Sequence, residues 1–105
     1  MAIFKKKKEE VAVKTTAEMI VAEKVVYDDD SYAAELAAKV IEGYPLFLNF
    51  EGLNVDNANK MIAFLSGVCF AISGRVQEIS ETVFLFTNNE AFIDGSLEKW
   101  MSNNL

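Results

Sequence analysis

From Asn54 to Ile72 the chain reads NVDNANKMIAFLSGVCFAI, and its apolar residues fall on two faces of one helix. Ala58, Met61, Ile62, Leu65 and Cys69 recur at intervals of three and four, the face that packs on a sheet. Ala63, Phe64, Gly67 and Ala71 run down another side. A 105-residue domain with two helices has no third layer for that second stripe, so a second copy of the chain is its simplest cover. These four residues are the expected homodimer seam, with Cys69 turned toward the core.

The rest of the pattern predicts the elements around this helix. Val25 to Tyr27 forms the core of a first strand, with Lys24 and Asp28 as its limits. Asp29, Asp30 and Ser31 supply capping oxygens for a helix from Tyr32 to about Glu42. Its buried face is Ala33, Leu36, Ala37 and Val40, and Gly43 stops it. Pro45 opens an apolar run, Leu46 to Phe50, suited to a buried central strand. Asn54 caps the two-faced helix. Ser73 and Gly74 break the chain before a strand over Val76 to Ile79, and Val83 to Phe86 completes a hairpin with it. The prediction is a compact two-layer α/β domain of order βαβαββ, a small sheet packed with two helices, dimeric.

Both ends differ from this core. Residues 1–23 read as a short basic flexible leader, in which Ala17 to Ala22 is either a marginal strand or an apolar approach to the fold. The core domain spans 24–88. Residues 89–105 form a tail anchored by Phe92, Ile93, Leu97, Trp100 and Met101, with Ser96 as the cap of a short helix over an open sheet face or an edge.

Charge narrows the partners. The chain is 51% apolar and carries a net charge of −6, which argues against general nucleic-acid binding. Residues 1–14 hold five lysines against two glutamates, net +3, whereas the remainder holds five basic against fourteen acidic residues, net −9. Attraction to an anionic membrane must therefore come from Lys5 to Lys8 beside the small apolar area of Ile3 and Phe4, a weak and salt-sensitive contact at most. No apolar run reaches membrane-spanning length and MAIFKKKK lacks the apolar region of a signal peptide, so the expected address is the cytoplasm.

Chemistry is sparse. One cysteine permits no intrachain disulfide, and the absence of histidine removes the usual zinc ligand and acid/base group. Asp28, Asp29 and Asp30 are explained by capping, and Gly67 with Gly74 is no phosphate loop. No catalytic, cofactor or metal residues are expected, and the chain reads as a non-enzyme.

The segments VVYDDDSYAAELAAKVI, YPLFLNFEGLNVDNANKMIAFLSGVCFAISGRVQEI and ETVFLFT resemble the core of the SepF, or YlmF-type, bacterial cell-division family. The landmarks are a strand at Phe47 to Phe50, a helix ending in Phe64, Leu65, Ser66 and Gly67 followed by Phe70, a turn at Gly74, and a strand with Phe84, Leu85 and Thr87. The resemblance implies a dimeric cytoplasmic adaptor at the division site. Such an adaptor binds the C-terminal tail of the tubulin-like protein FtsZ, supports assembly of the septum and builds larger assemblies. Under that reading Phe70, Phe84 and Phe86 line a peptide groove beside the hairpin, and Arg75 and Gln77 orient the peptide. The alternative is a self-assembling structural protein that does not bind FtsZ. Asn88 stands where the family has proline, and Glu78 where many relatives place a basic residue.

Overall fold

The computed structural model describes residues 14–105. The lysine run expected to touch anionic surfaces lies outside them. A 3-10 turn at Ala17–Met19 leads into β1 (Val21–Lys24), α1 (Asp30–Glu42), β2 (Leu46–Asn49), α2 (Val55–Ala71), β3 (Arg75–Glu78), β4 (Val83–Thr87) and α3 (Ser96–Asn104). The sheet order is β1-β2-β4-β3, with β1 parallel to β2 and the other pairs antiparallel. The two central strands are therefore β2 and β4, and the edges are β1 and β3.

Helix starts and stops follow the expected chemistry. The Asp29 carboxylate accepts from the Tyr32 N–H at 3.2 Å, and Gly43 ends α1 at a φ of 105°, where a side chain would be strained. Asn54 Oδ1 accepts from the Asn57 N–H at 2.9 Å to open α2. Both helices pack on one sheet face, where Leu36, Val40, Met61, Leu65 and Cys69 meet Leu46, Leu48 and Phe86. Cys69 is buried, and that burial pushes its thiol up.

The hairpin is seated by close backbone approach. A Cβ on Gly74 would collide with the Thr87 carbonyl oxygen, so only glycine fits there.

One expectation changes. The first strand is Val21–Lys24 rather than Val25 to Tyr27. Its register is set by β2, pairing Val21 with Leu46 and Lys24 with Asn49; Val25 then makes the last bond, to the Asn49 carbonyl at 2.8 Å, and Val26 and Tyr27 leave the sheet exposed. Val21 to Glu23 of β1 thus fall within the stretch read as leader, and Lys24 within the stretch read as core.

The tail, expected over an open sheet face or an edge, covers the open face as a further layer. On the far sheet face Phe47 and Leu85 are covered by Ala91 and Leu97, with Ile20, Phe92, Trp100 and Met101 around them. The Trp100 and Phe47 rings lie 5.4 Å apart. Asp94 ties this layer to the start of the fold: its Oδ2 accepts from the Thr16 N–H at 2.9 Å, and its Oδ1 from the Ser96 N–H at 2.9 Å. The Ala17 N–H donates to Ser96 Oγ at 2.9 Å.

Candidate peptide groove and outer helix face

Cross-strand register decides which candidate residues can meet. Val76 and Glu78 pair with Phe86 and Phe84, whereas Arg75 and Gln77 pair with Thr87 and Leu85. Directly paired residues point to one face, and successive residues to opposite faces. Phe84 and Phe86 thus face the helices, while Arg75 and Gln77 face α3. The Arg75 guanidinium sits 4.3 Å from the Phe92 ring centroid on that far side. Within one subunit the structure therefore places the expected hairpin residues on two opposite sheet faces.

Three phenylalanines organise the helix side. Phe84 stacks on Phe86 with centroids 6.3 Å apart, and Phe50 meets Phe84 edge-on at 6.0 Å and Phe86 at 6.3 Å. Phe86 is fully buried, so it supports the cluster from beneath and cannot touch a peptide. Phe84 is half-buried. Its open side faces a cleft of about 320 Å³ between the hairpin tip and the first turns of α2. Leu53, Ala58 and Ile62 form the opposite wall, with Val55 at the rim. Residues of the Glu51–Leu53 turn and the α2 start were not among the expected groove residues. Their apolar spacing marked them only as turn and core.

Phe70 belongs elsewhere. It projects from the last turns of α2 at 88% exposure, on the same side as Ala63, Phe64, Gly67 and Ala71. All five are exposed, and Phe64 retains 45% of its accessible surface. Among the described residues, a Cβ on Gly67 would meet nothing within 4 Å. The four expected seam residues therefore share one open face, and Phe70 extends it rather than lining the groove.

Between α1 and α2 lies another cleft, lined by Asp28, Asp30, Asn57, Lys60, Met61 and Phe64. Asp29 beside it is committed to capping, and its bonds from Ser31 Oγ and the Tyr32 N–H hold its carboxyl below the usual range. Among the described residues, no group of three or more Cys, Asp or Glu is placed to hold a metal ion. Tyr32 donates to Glu23 Oε1 at 2.9 Å, and Lys39 Nζ lies 3.6 Å from Glu23 Oε2, fixing α1 to the β1 edge. Partial burial and then the Glu23 carboxylate push the Tyr32 phenol up to about 12.

The family described as "Cell division protein SepF" matches residues 19–93. The chain belongs to the SepF family. Curated relatives named "Cell division protein SepF" include that of Lacticaseibacillus casei (strain BL23), 35% identical over 82 residues, covering 78% of this chain and 52% of the relative. That of Listeria monocytogenes serotype 4a (strain HCC23) is 30% identical over 86 residues, covering 82% and 55%. The chain spans about half the length of these relatives. Among solved structures, the "SepF-like protein from Pyrococcus furiosus" aligns with a TM-score of 0.59 at 15% identity, covering 76% of this chain and 95% of that one. The "SepF-like protein from Archaeoglobus fulgidus" aligns at 0.58 and 13%, covering 66% and 83%. These likenesses support the SepF-like fold. Among the described residues no helix is long and apolar enough to cross a membrane.

Proposed function

We propose that this SepF-family chain is a cytoplasmic, non-enzymatic adaptor that works at the division site. It pairs with a second copy across the outer face of α2 and binds the C-terminal segment of FtsZ in the groove beside Phe84. The observation that carries the peptide reading is the half-buried Phe84, held rigid by Phe50 and Phe86 at the floor of a cleft large enough for a short apolar segment. Homodimerisation rests on the open α2 stripe. Gly67 costs a helix interior about 1 kcal/mol against alanine and gains nothing inside the monomer, whereas close approach of another helix would use its lack of a side chain.

Titration of a labelled FtsZ C-terminal peptide into the full chain tests the adaptor role. Phe84→Ala also removes core packing, so Val55→Asp is the cleaner variant: Val55 is 72% exposed at the groove rim and its side chain is not part of the core. It should weaken binding at least fivefold, about 1 kcal/mol, with the unfolding transition unchanged. No association of wild type at high peptide concentration would defeat the FtsZ role. The 88% exposure of Phe70 favours a second reading, a structural protein that assembles without FtsZ. That reading is distinguished by concentration-dependent mass in light scattering together with a silent peptide titration.

A further inference from the structure

The groove beside Phe84 has an apolar floor and an acidic rim. Glu51 stands at one end, on the turn after β2, and Glu81 at the other, on the hairpin tip; both are exposed and both line the cleft. Glu78, the cross-strand partner of Phe84, is also exposed but lines a separate cleft with Ile79, Met101 and Leu105. No lysine or arginine is among the described residues that line this groove. Lys60 faces the other cleft, between α1 and α2. Lys24 lies beside the Glu51–Gly52 turn, with its Cε 3.5 Å from the place a Gly52 side chain would start, but does not line the groove. The positive end of the α2 dipole adjoins the groove, but Asp56 in the first turn opposes it.

We propose that this rim is a specificity device: the groove selects an apolar peptide segment flanked by lysine or arginine and rejects the same segment flanked by acidic residues. The inference rests on the reading of this groove as a peptide site. Apolar contact with Phe84, Ala58 and Ile62 supplies affinity without regard to sequence charge, and the two carboxylates at the ends of the opening supply sign. At physiological salt the screening length is about 8 Å, so the two carboxylates at the rim of a cleft of about 320 Å³ act together on a bound charge.

Three synthetic peptides with one leucine–phenylalanine centre, flanked by lysines, by serines or by glutamates, are titrated by fluorescence anisotropy into the full-length chain. The lysine-flanked peptide should bind about fivefold more tightly than the serine-flanked one in low salt, with the difference shrinking as salt rises. The glutamate-flanked peptide should bind least. The double variant Glu51→Gln, Glu81→Gln should remove the preference while leaving the serine-flanked affinity unchanged, with Trp100 emission reporting an intact fold. Equal affinities for all three peptides, or a preference that survives the double variant, would overturn the proposal.

A parallel titration with the FtsZ C-terminal peptide separates the two claims. Binding of that peptide without charge preference sinks the rim and keeps the adaptor reading, whereas charge-selective binding of the synthetic peptides with a silent FtsZ peptide does the reverse. The chain contains the selected chemistry itself, at Ile3 and Phe4 followed by Lys5 to Lys8. Tighter binding of a peptide of residues 1–10 than of the FtsZ peptide would overturn a foreign occupant in favour of this chain's own start.

Discussion

Asp94 joins segments 78 residues apart, accepting from Thr16 on one oxygen and from Ser96 on the other. The Thr16 N–H, followed by the Ser96 N–H and hydroxyl, holds its carboxyl down to about 2. Because the folded value lies below the ordinary 3.8, this stabilisation is fully present above the ordinary value and is lost as pH falls through about 2. Asparagine offers one oxygen where the carboxylate offers two, so Asp94→Asn can satisfy only one of the two segments. Its Trp100 emission should already be red-shifted at neutral pH, and the acid step seen in wild type between about pH 4 and about pH 2 should shrink. Superimposable acid profiles would remove Asp94 from the clamp. Thr87 makes the opposite case. Its hydroxyl oxygen is buried with no hydrogen-bond partner among the described residues, so Thr87→Val should be neutral or stabilise the fold by about 1 kcal/mol in urea denaturation.

At the scale of elements, what the sequence discloses depends on how local the determinant is. The core faces of α1 and α2 were legible from period and caps, because Leu36, Val40, Met61, Leu65 and Cys69 recur within a single segment. The first strand was not. Val25, Val26 and Tyr27 have the higher strand propensity, but β2 offers only four paired positions and its register assigns them to Val21–Lys24. The Ala63–Ala71 stripe was also readable from α2 alone, and the structure leaves it open. Gly67→Ala should therefore fit the isolated subunit and raise its stability by about 1 kcal/mol. Gly67→Lys should instead lower the mass found by light scattering, since a long charged side chain would stand in the seam. A Gly67→Lys chain with unchanged mass and unchanged concentration dependence would defeat the proposed pairing across this face.

For the molecule as a whole, the groove was only half legible because its walls come from three separated segments, the Glu51–Leu53 turn, the start of α2 and the hairpin tip. Sequence pattern singled out Phe84 but could not say which way the alternating hairpin residues point. Pairing settles it, placing Arg75 and Gln77 on the α3 side of the sheet and Phe84 on the helix side. The sheet thus separates two surfaces, the groove on one side and the Trp100 layer on the other. Arg75→Ala loses the guanidinium over Phe92, an exposed contact of about 0.5–1 kcal/mol, and should leave groove-directed peptide affinity within twofold of wild type. Val55→Asp should show the converse, weaker peptide binding with unaltered Trp100 emission. The pair of variants is read in one titration and one emission spectrum each. A loss of peptide affinity in folded Arg75→Ala comparable to that in Val55→Asp would mean that the peptide reaches across the β3 edge to both faces, and the two-surface division would fail.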